Sequence, residues 1–144
     1  MPKSEASATI NAPMEKVFDS IADPQKMAQY ASSSVLTDIN GKPDELGSYA
    51  KWDYNVVGMK FHAKTIVSEV DKPRKLVQEM SGAMPGKWIW SLEQEGLAVR
   101  VDFTIEYSVP GAILGKIANW LFLGRMNQKN LESTLHSLKV YCET

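Results

Sequence analysis

The chain has 144 residues, 44% of them hydrophobic and 23% charged, with a formal net charge of −1. That size and composition fit one soluble globular domain, 1–144, around one core, and so even a charge balance gives no pull toward nucleic acid or an anionic membrane. The lone cysteine, Cys142, excludes an internal disulfide, and the two histidines have no metal-ligand spacing, so neither a metal nor a cofactor is expected.

Taken in order, Ser4 to Ile10 alternates weakly, with Ala6, Ala8 and Ile10 on one side, and reads as a strand. Asn11-Ala12-Pro13 opens a helix, with proline in the first turn where its missing N–H costs nothing, and Val17, Phe18 and Ile21 form its apolar stripe. Asp23-Pro24 stops that helix and starts a second, Asp23 as N-cap and Pro24 at the first position, burying Met27 and Tyr30. From Ser33 the period becomes two. Val35 to Ile39, Gly47 to Val57, Met59 to Val67 and Leu76 to Met80 read as strands separated by Asn40-Gly41, Pro43-Asp44, Gly58 and Asp71-Lys72-Pro73. In the fourth of these Leu76, Gln78 and Met80 oppose Lys75, Val77 and Glu79. After Gly82 to Gly86, Trp88, Trp90 and Leu92 share one face. Glu95-Gly96 turns the chain into the clearest strand, where Val99, Val101, Phe103, Ile105 and Tyr107 alternate with polar residues. Strands joined by short turns make an antiparallel meander with one apolar face that needs a cover.

Val109 to Thr144 supplies the cover: after Pro110-Gly111 it runs without proline as one long helix of about nine turns. At 100° per residue, Ile113, Ile117, Trp120, Leu131, Leu135, Leu138 and Cys142 fall in one arc, and Lys129, Ser133, His136 and Val140 lie opposite. Gly124 stands in the apolar arc where a leucine is expected, flanked by Asn127 and Gln128. It serves either a close backbone approach or a space for a ligand, and costs about 1 kcal/mol of helix stability relative to alanine. Phe122, Leu123 and Met126 point away from the arc and, beside Lys116, Arg125 and Lys129, mark a kink, a partner patch or a transient membrane contact.

The order of elements resembles the START-like, birch-pollen-allergen-like superfamily, and within it the polyketide cyclase/dehydrase and lipid-transport group of SRPBCC proteins. The resemblance is carried by ATINAPMEKVFDSIADP (Ala8 to Pro24), LGSYAKWDY (Leu46 to Tyr54), VSEVDKPRKL (Val67 to Leu76), WIWSLEQEGLAVRVDFTIEYSVPGAILG (Trp88 to Gly115) and LESTLHSLK (Leu131 to Lys139). Tyr30, where many members have tryptophan, and Leu97-Ala98, where Gly-Thr is common, depart from the pattern. The resemblance implies an α+β helix-grip fold, with a curved antiparallel sheet of about seven strands wrapped on the C-terminal helix and two short helices after the first strand. It implies a cavity between sheet and helix for hydrophobic ligands, and it carries no catalytic residue set.

The candidate lining is Trp52, Tyr54, Phe61, Trp88, Trp90, Phe103 and Tyr107 from the sheet and Ile117, Trp120, Leu121 and Gly124 from the helix, with Thr65, Gln78 and Asn127 as polar groups. The competing reading is that these residues fill an ordinary core. Cys142 lies on the packing face, and His62, His136, Asp53, Glu69, Glu79, Asp102 and Glu106 read as outward, so Tyr54 and Tyr107 are the inward polar groups. The leading expectation is binding or transport of a lipid, isoprenoid or polycyclic compound. The alternatives are a cyclase- or aromatase-like enzyme and an interaction module centred on Phe122. MPKSEASATINAP has no apolar signal core and no apolar run nears ~20 residues, so a cytoplasmic location is expected.

Overall fold

The computed structural model describes residues 3–31, 34–56, 59–82, 85–108 and 120–144, with the backbone alone at 56, 59 and 120–123. The elements are β1 (Lys3–Ile10), α1 (Met14–Ala22), α2 (Pro24–Tyr30), β2 (Ser34–Asn40), β3 (Tyr49–Val56), β4 (Met59–Asp71), β5 (Lys75–Gly82), β6 (Gly86–Glu95), β7 (Ala98–Tyr107) and a long helix, here α3 (Trp120–Glu143). The expected start of that helix, 110–119, lies outside the described residues.

The strands form one antiparallel sheet in the order β1-β7-β6-β5-β4-β3-β2. Six consecutive strands pair as a meander, and β1 joins the β7 edge with Ala6 opposite Phe103 and Ala8 opposite Val101. This is the α+β helix-grip arrangement expected from the order of elements. The register slips between Leu36 and Asp38 on β2 and between Val67 and Glu69 on β4, and such bulges bend a strand and increase its local twist. At the Asn40-Gly41 turn, Gly41 has φ 91°, and a Cβ there would stand 2.6 Å from that of Ser48. Only glycine combines that backbone with that approach. Val77, expected outward, is buried, with Ile89 of β6 opposite it.

Pro13 sits one place earlier than expected: its extended backbone (φ −61°, ψ 141°) makes it the N-cap of α1, and its carbonyl accepts from Val17 N at 3.1 Å. Asp23 ends one helix and begins the next. Its N–H donates to Asp19 O at 3.0 Å, and its carboxylate accepts from Gln25 N at 3.0 Å. The buried Tyr30 hydroxyl donates to Ser20 O at 2.8 Å and locks α2 against α1.

Helix α3 packs along β1, whose inward residues Ser4, Ala6 and Ala8 are small enough to let a helix approach. Gln128 Nε2 donates to Glu5 O at 2.7 Å, and Lys139 Nζ to Thr9 O at 2.8 Å. The helix rise between those two residues, ~16 Å, nearly matches the strand rise between their acceptors, ~14 Å. The two elements therefore run alongside one another, and side chains cover a strand edge that would otherwise invite pairing.

The core fills one end of this assembly. Val17, Phe18 and Ile21 of α1 meet Leu92, Val99 and Val101 of the last hairpin and Leu131, Leu135, Leu138 and Cys142 of α3. Val140 and His136, on the opposite helix face, are exposed. The far end of α3 is tied down by Glu143, whose carboxylate accepts from Asn11 N at 2.8 Å and Lys139 Nζ at 2.6 Å.

Two outcomes follow for α3. Leu138→Ala, at a site with 0% exposure, should lose about 2–5 kcal/mol in urea unfolding, whereas Val140→Ala should stay within about 0.5 kcal/mol. The Asn11 N–H, and next Lys139, hold the Glu143 carboxyl below its usual range. The folded state thus binds the proton more weakly than the unfolded chain, and the contribution is present above the unfolded value and fades as pH falls through the folded one. Glu143→Gln should accordingly be less stable than the parent at neutral pH and converge with it in acid, as read from paired unfolding curves across pH.

Candidate ligand-binding site

At the other end of the sheet the strands and α3 diverge around a cavity of about 120 Å³. Its lining is drawn from α2, β2–β7 and α3 and includes Trp52, Tyr54, Thr65, Trp88, Trp90, Phe103, Tyr107 and Asn127, all named from the sequence. Alternation aims the strand residues inward. Trp52 and Tyr54 are two apart on β3, Trp88 and Trp90 on β6, and Phe103, Ile105 and Tyr107 follow on β7. Trp90 and Phe103 sit opposite each other in register, and their rings stack at 3.6 Å and 7°. Trp88 meets Phe103 edge-on at 6.0 Å and 83°. Such aromatic pairs add to the gain from burial and form the floor of the cavity.

Two of the named residues stand elsewhere. Phe61 lies opposite Tyr54 and packs on its ring at 5.9 Å, but is outside the lining. Gln78 pairs with Val67, one pleat further along the sheet than Met80, which pairs with Thr65. The cavity therefore receives Met80, and Gln78 faces a separate space of about 10 Å³ near Ser48 and Pro24. Gly124 is not a lining residue; among the described residues, a Cβ on it would meet Tyr107 Oη at 3.8 Å, an ordinary contact. Ile117, and the side chains of Trp120, Leu121, Phe122 and Leu123, lie outside the described residues; Met126 is half-buried.

The sequence reading missed Met27, Ala31, Ser34, Asn55, Ala63, Met80, Ile105, Asn130, Leu131 and Thr134. Ala63, Met80 and Ile105 were present in the strand alternation but lacked aromatic character. Asn130, Leu131 and Thr134 continue the helical stripe from Asn127 at spacings of three, four and seven. Met27, Ala31 and Ser34 come from the α2–β2 segment and carry no local signal for a cavity.

None of the described lining residues is charged. Trp52 Nε1 donates to Thr65 Oγ1 at 3.3 Å across the wall. Tyr54 Oη, Trp88 Nε1 and Trp90 Nε1 are buried without a hydrogen-bond partner among the described residues. Burial raises the Tyr54 phenol above its ordinary pKa, so it remains protonated and able to donate. Groups suited to nucleophilic or metal chemistry lie apart. Cys142 is buried in the core, and burial raises its thiol. Asp53 lies on the outer sheet face, where the hydrogen bond from His62, and next Lys60 at 3.4 Å, lowers its carboxyl. No group of three or more potential metal ligands occurs among the described residues. No described helix is long and apolar enough to cross a membrane.

Solved structures share this architecture. A protein from Thermus thermophilus superposes with a TM-score of 0.76 at 20% identity, covering 98% of this chain and 97% of its own. A conserved protein from Geobacillus kaustophilus gives 0.79 at 15%, covering 96% and 93%. The major latex-like protein 151 of Panax ginseng gives 0.71 at 14%, covering 99% and 98%. Likenesses at these identities show the fold alone. No curated protein matches the chain by sequence. Residues 1–143 match the family model described as polyketide cyclase / dehydrase and lipid transport, and the chain therefore belongs to that family.

Proposed function

We propose that this protein binds a hydrophobic small molecule in the cavity between its sheet and α3, as a carrier or holding protein. The observation that supports this reading most directly is the lining: a cluster of aromatic rings with no charged side chain among its described residues. Apolar walls with a few placed polar groups are the usual make-up of small-molecule sites. The family description, which includes lipid transport, agrees with such a role. A cavity of about 120 Å³ has room for a single ring or a short chain segment, since an engineered cavity of ~150 Å³ takes benzene. Larger lipids, isoprenoids or polycyclic compounds would require the walls to part.

A cyclase-like reaction is the second reading, favoured by the Tyr54 hydroxyl. It is buried, unpartnered among the described residues and held protonated, as a group that orients or polarises a substrate carbonyl must be.

Native mass spectrometry of purified protein, followed by solvent extraction, is expected to reveal a co-purifying apolar compound. The stripped protein should take up toluene saturably, at one molecule per chain, by ¹⁵N NMR titration. Gly124→Ala should retain uptake and gain up to about 1 kcal/mol of helix stability. Gly124→Phe, which projects a ring beside Tyr107, should fold but lose at least about 10-fold in affinity. Absence of both a co-purifying compound and saturable uptake would overturn the binding reading. Turnover of a polycarbonyl substrate that disappears in Tyr54→Phe with binding intact would favour the enzyme.

A further inference from the structure

On the described lining side chains, the buried polar atoms left without a partner are all able to donate, and this bears on what the cavity accepts. Three of the four buried side-chain polar atoms without a partner among the described residues are carried by side chains that line this one cavity: Tyr54 Oη, Trp88 Nε1 and Trp90 Nε1. Two of these are pure donors, because an indole N–H has no lone pair to offer, and the third is a phenol held protonated by burial. Buried polar groups are nearly always paired, and a cluster of exceptions calls for a cause. The same wall shows the contrast, since Trp52 Nε1 reaches an acceptor of the protein's own in Thr65 Oγ1 at 3.3 Å. Trp88 and Trp90 have none among the described residues.

We infer that the cavity selects an uncharged ring compound bearing a carbonyl-type oxygen, which accepts hydrogen bonds from the Tyr54 hydroxyl and from one of the Trp88 and Trp90 indoles. This rests on the binding function proposed above and specifies its ligand class. The three atoms are closed to solvent, so the acceptor meets them as the Trp88–Phe103–Trp90 ring cluster opens around the entering ligand. A plain hydrocarbon leaves all three donors unpaired. A carboxylate brings acceptors but also a full charge, and the described lining contains no lysine, arginine or histidine to neutralise it. Burying an unpaired charge costs far more than a hydrogen bond returns.

Three probes of one ring skeleton separate these cases: tetralin, 1-tetralone and tetralin-1-carboxylate, titrated into ¹⁵N-labelled protein stripped of any co-purifying compound. Trp88→Phe assigns one indole resonance. The ketone is expected to bind roughly 10-fold more tightly than the hydrocarbon and at least as far ahead of the carboxylate. The Trp88 or Trp90 indole proton should move downfield with the ketone alone. Tyr54→Phe, which removes one oxygen and keeps the ring, should narrow the ketone-to-hydrocarbon ratio by about 3-fold while leaving tetralin affinity within about 2-fold. Equal binding of ketone and hydrocarbon with unmoved indole signals would overturn the acceptor inference and leave cavity binding standing. Preference for the carboxylate would overturn the requirement for an uncharged ligand. Failure of all three to bind would overturn this inference together with the reading it rests on.

Discussion

The seating of α3 along β1 is the constraint on which the other features rest. Leu131, Leu135, Leu138 and Cys142 bury one stripe of the helix, and burial of such side chains contributes about 1.5–3 kcal/mol each. Burial alone does not set the register. Gln128 on Glu5 O and Lys139 on Thr9 O do that, by tying two points of the helix to two points of an edge strand. Small inward residues on β1 make the approach possible. Larger ones would lift the helix and open the core beneath it.

With α3 held there, the molecule divides into two ends. At one, α1 and α2 close the sheet and the interior is filled, with Tyr30 bonded to Ser20 and packed against Tyr141 at 5.4 Å. At the other, α2 contributes only Met27 and its C-cap Ala31, and Trp52, Trp88, Trp90, Phe103 and Tyr107 face a space that described side chains do not fill. The same helix stripe serves both: Leu131 belongs to the core and to the cavity wall, and Asn127 and Thr134 turn toward the cavity. The wall is aromatic, uncharged among the described residues, and its side chains carry buried donors without a partner among those residues.

Much of this was legible in the residues. Strand alternation at Trp52/Tyr54, Trp88/Trp90 and Phe103/Tyr107 depends only on the period of two, so it placed those side chains on the inner face before any pairing was known. Asp23-Pro24 as a helix junction and Asn40-Gly41 as a turn are local chemistry and needed no tertiary information. The exchange of Gln78 for Met80 was not legible, because it depends on which pleat of β4 lies opposite, and Gln78 and Met80 share one face of their own strand. Alternation gives a side chain its face but not its distance along the sheet. Phe61, opposite the lining residue Tyr54, shows that it does not give the strand's place around the cavity either.

The sequence by itself determined the elements, the buried stripes and, through the order of those elements, the family, because each depends on local periodicity and turn chemistry. Tertiary structure alone decided which inward residues pack solidly and which surround a space. That depends on how far α3 stands from each strand, a distance set by contacts such as Gln128 to Glu5 across more than half the chain's length. It also decided which buried donors find acceptors. Trp52 and Trp88 look alike in sequence, and only the cross-strand placement of Thr65 gives one a partner and leaves the other without one among the described residues.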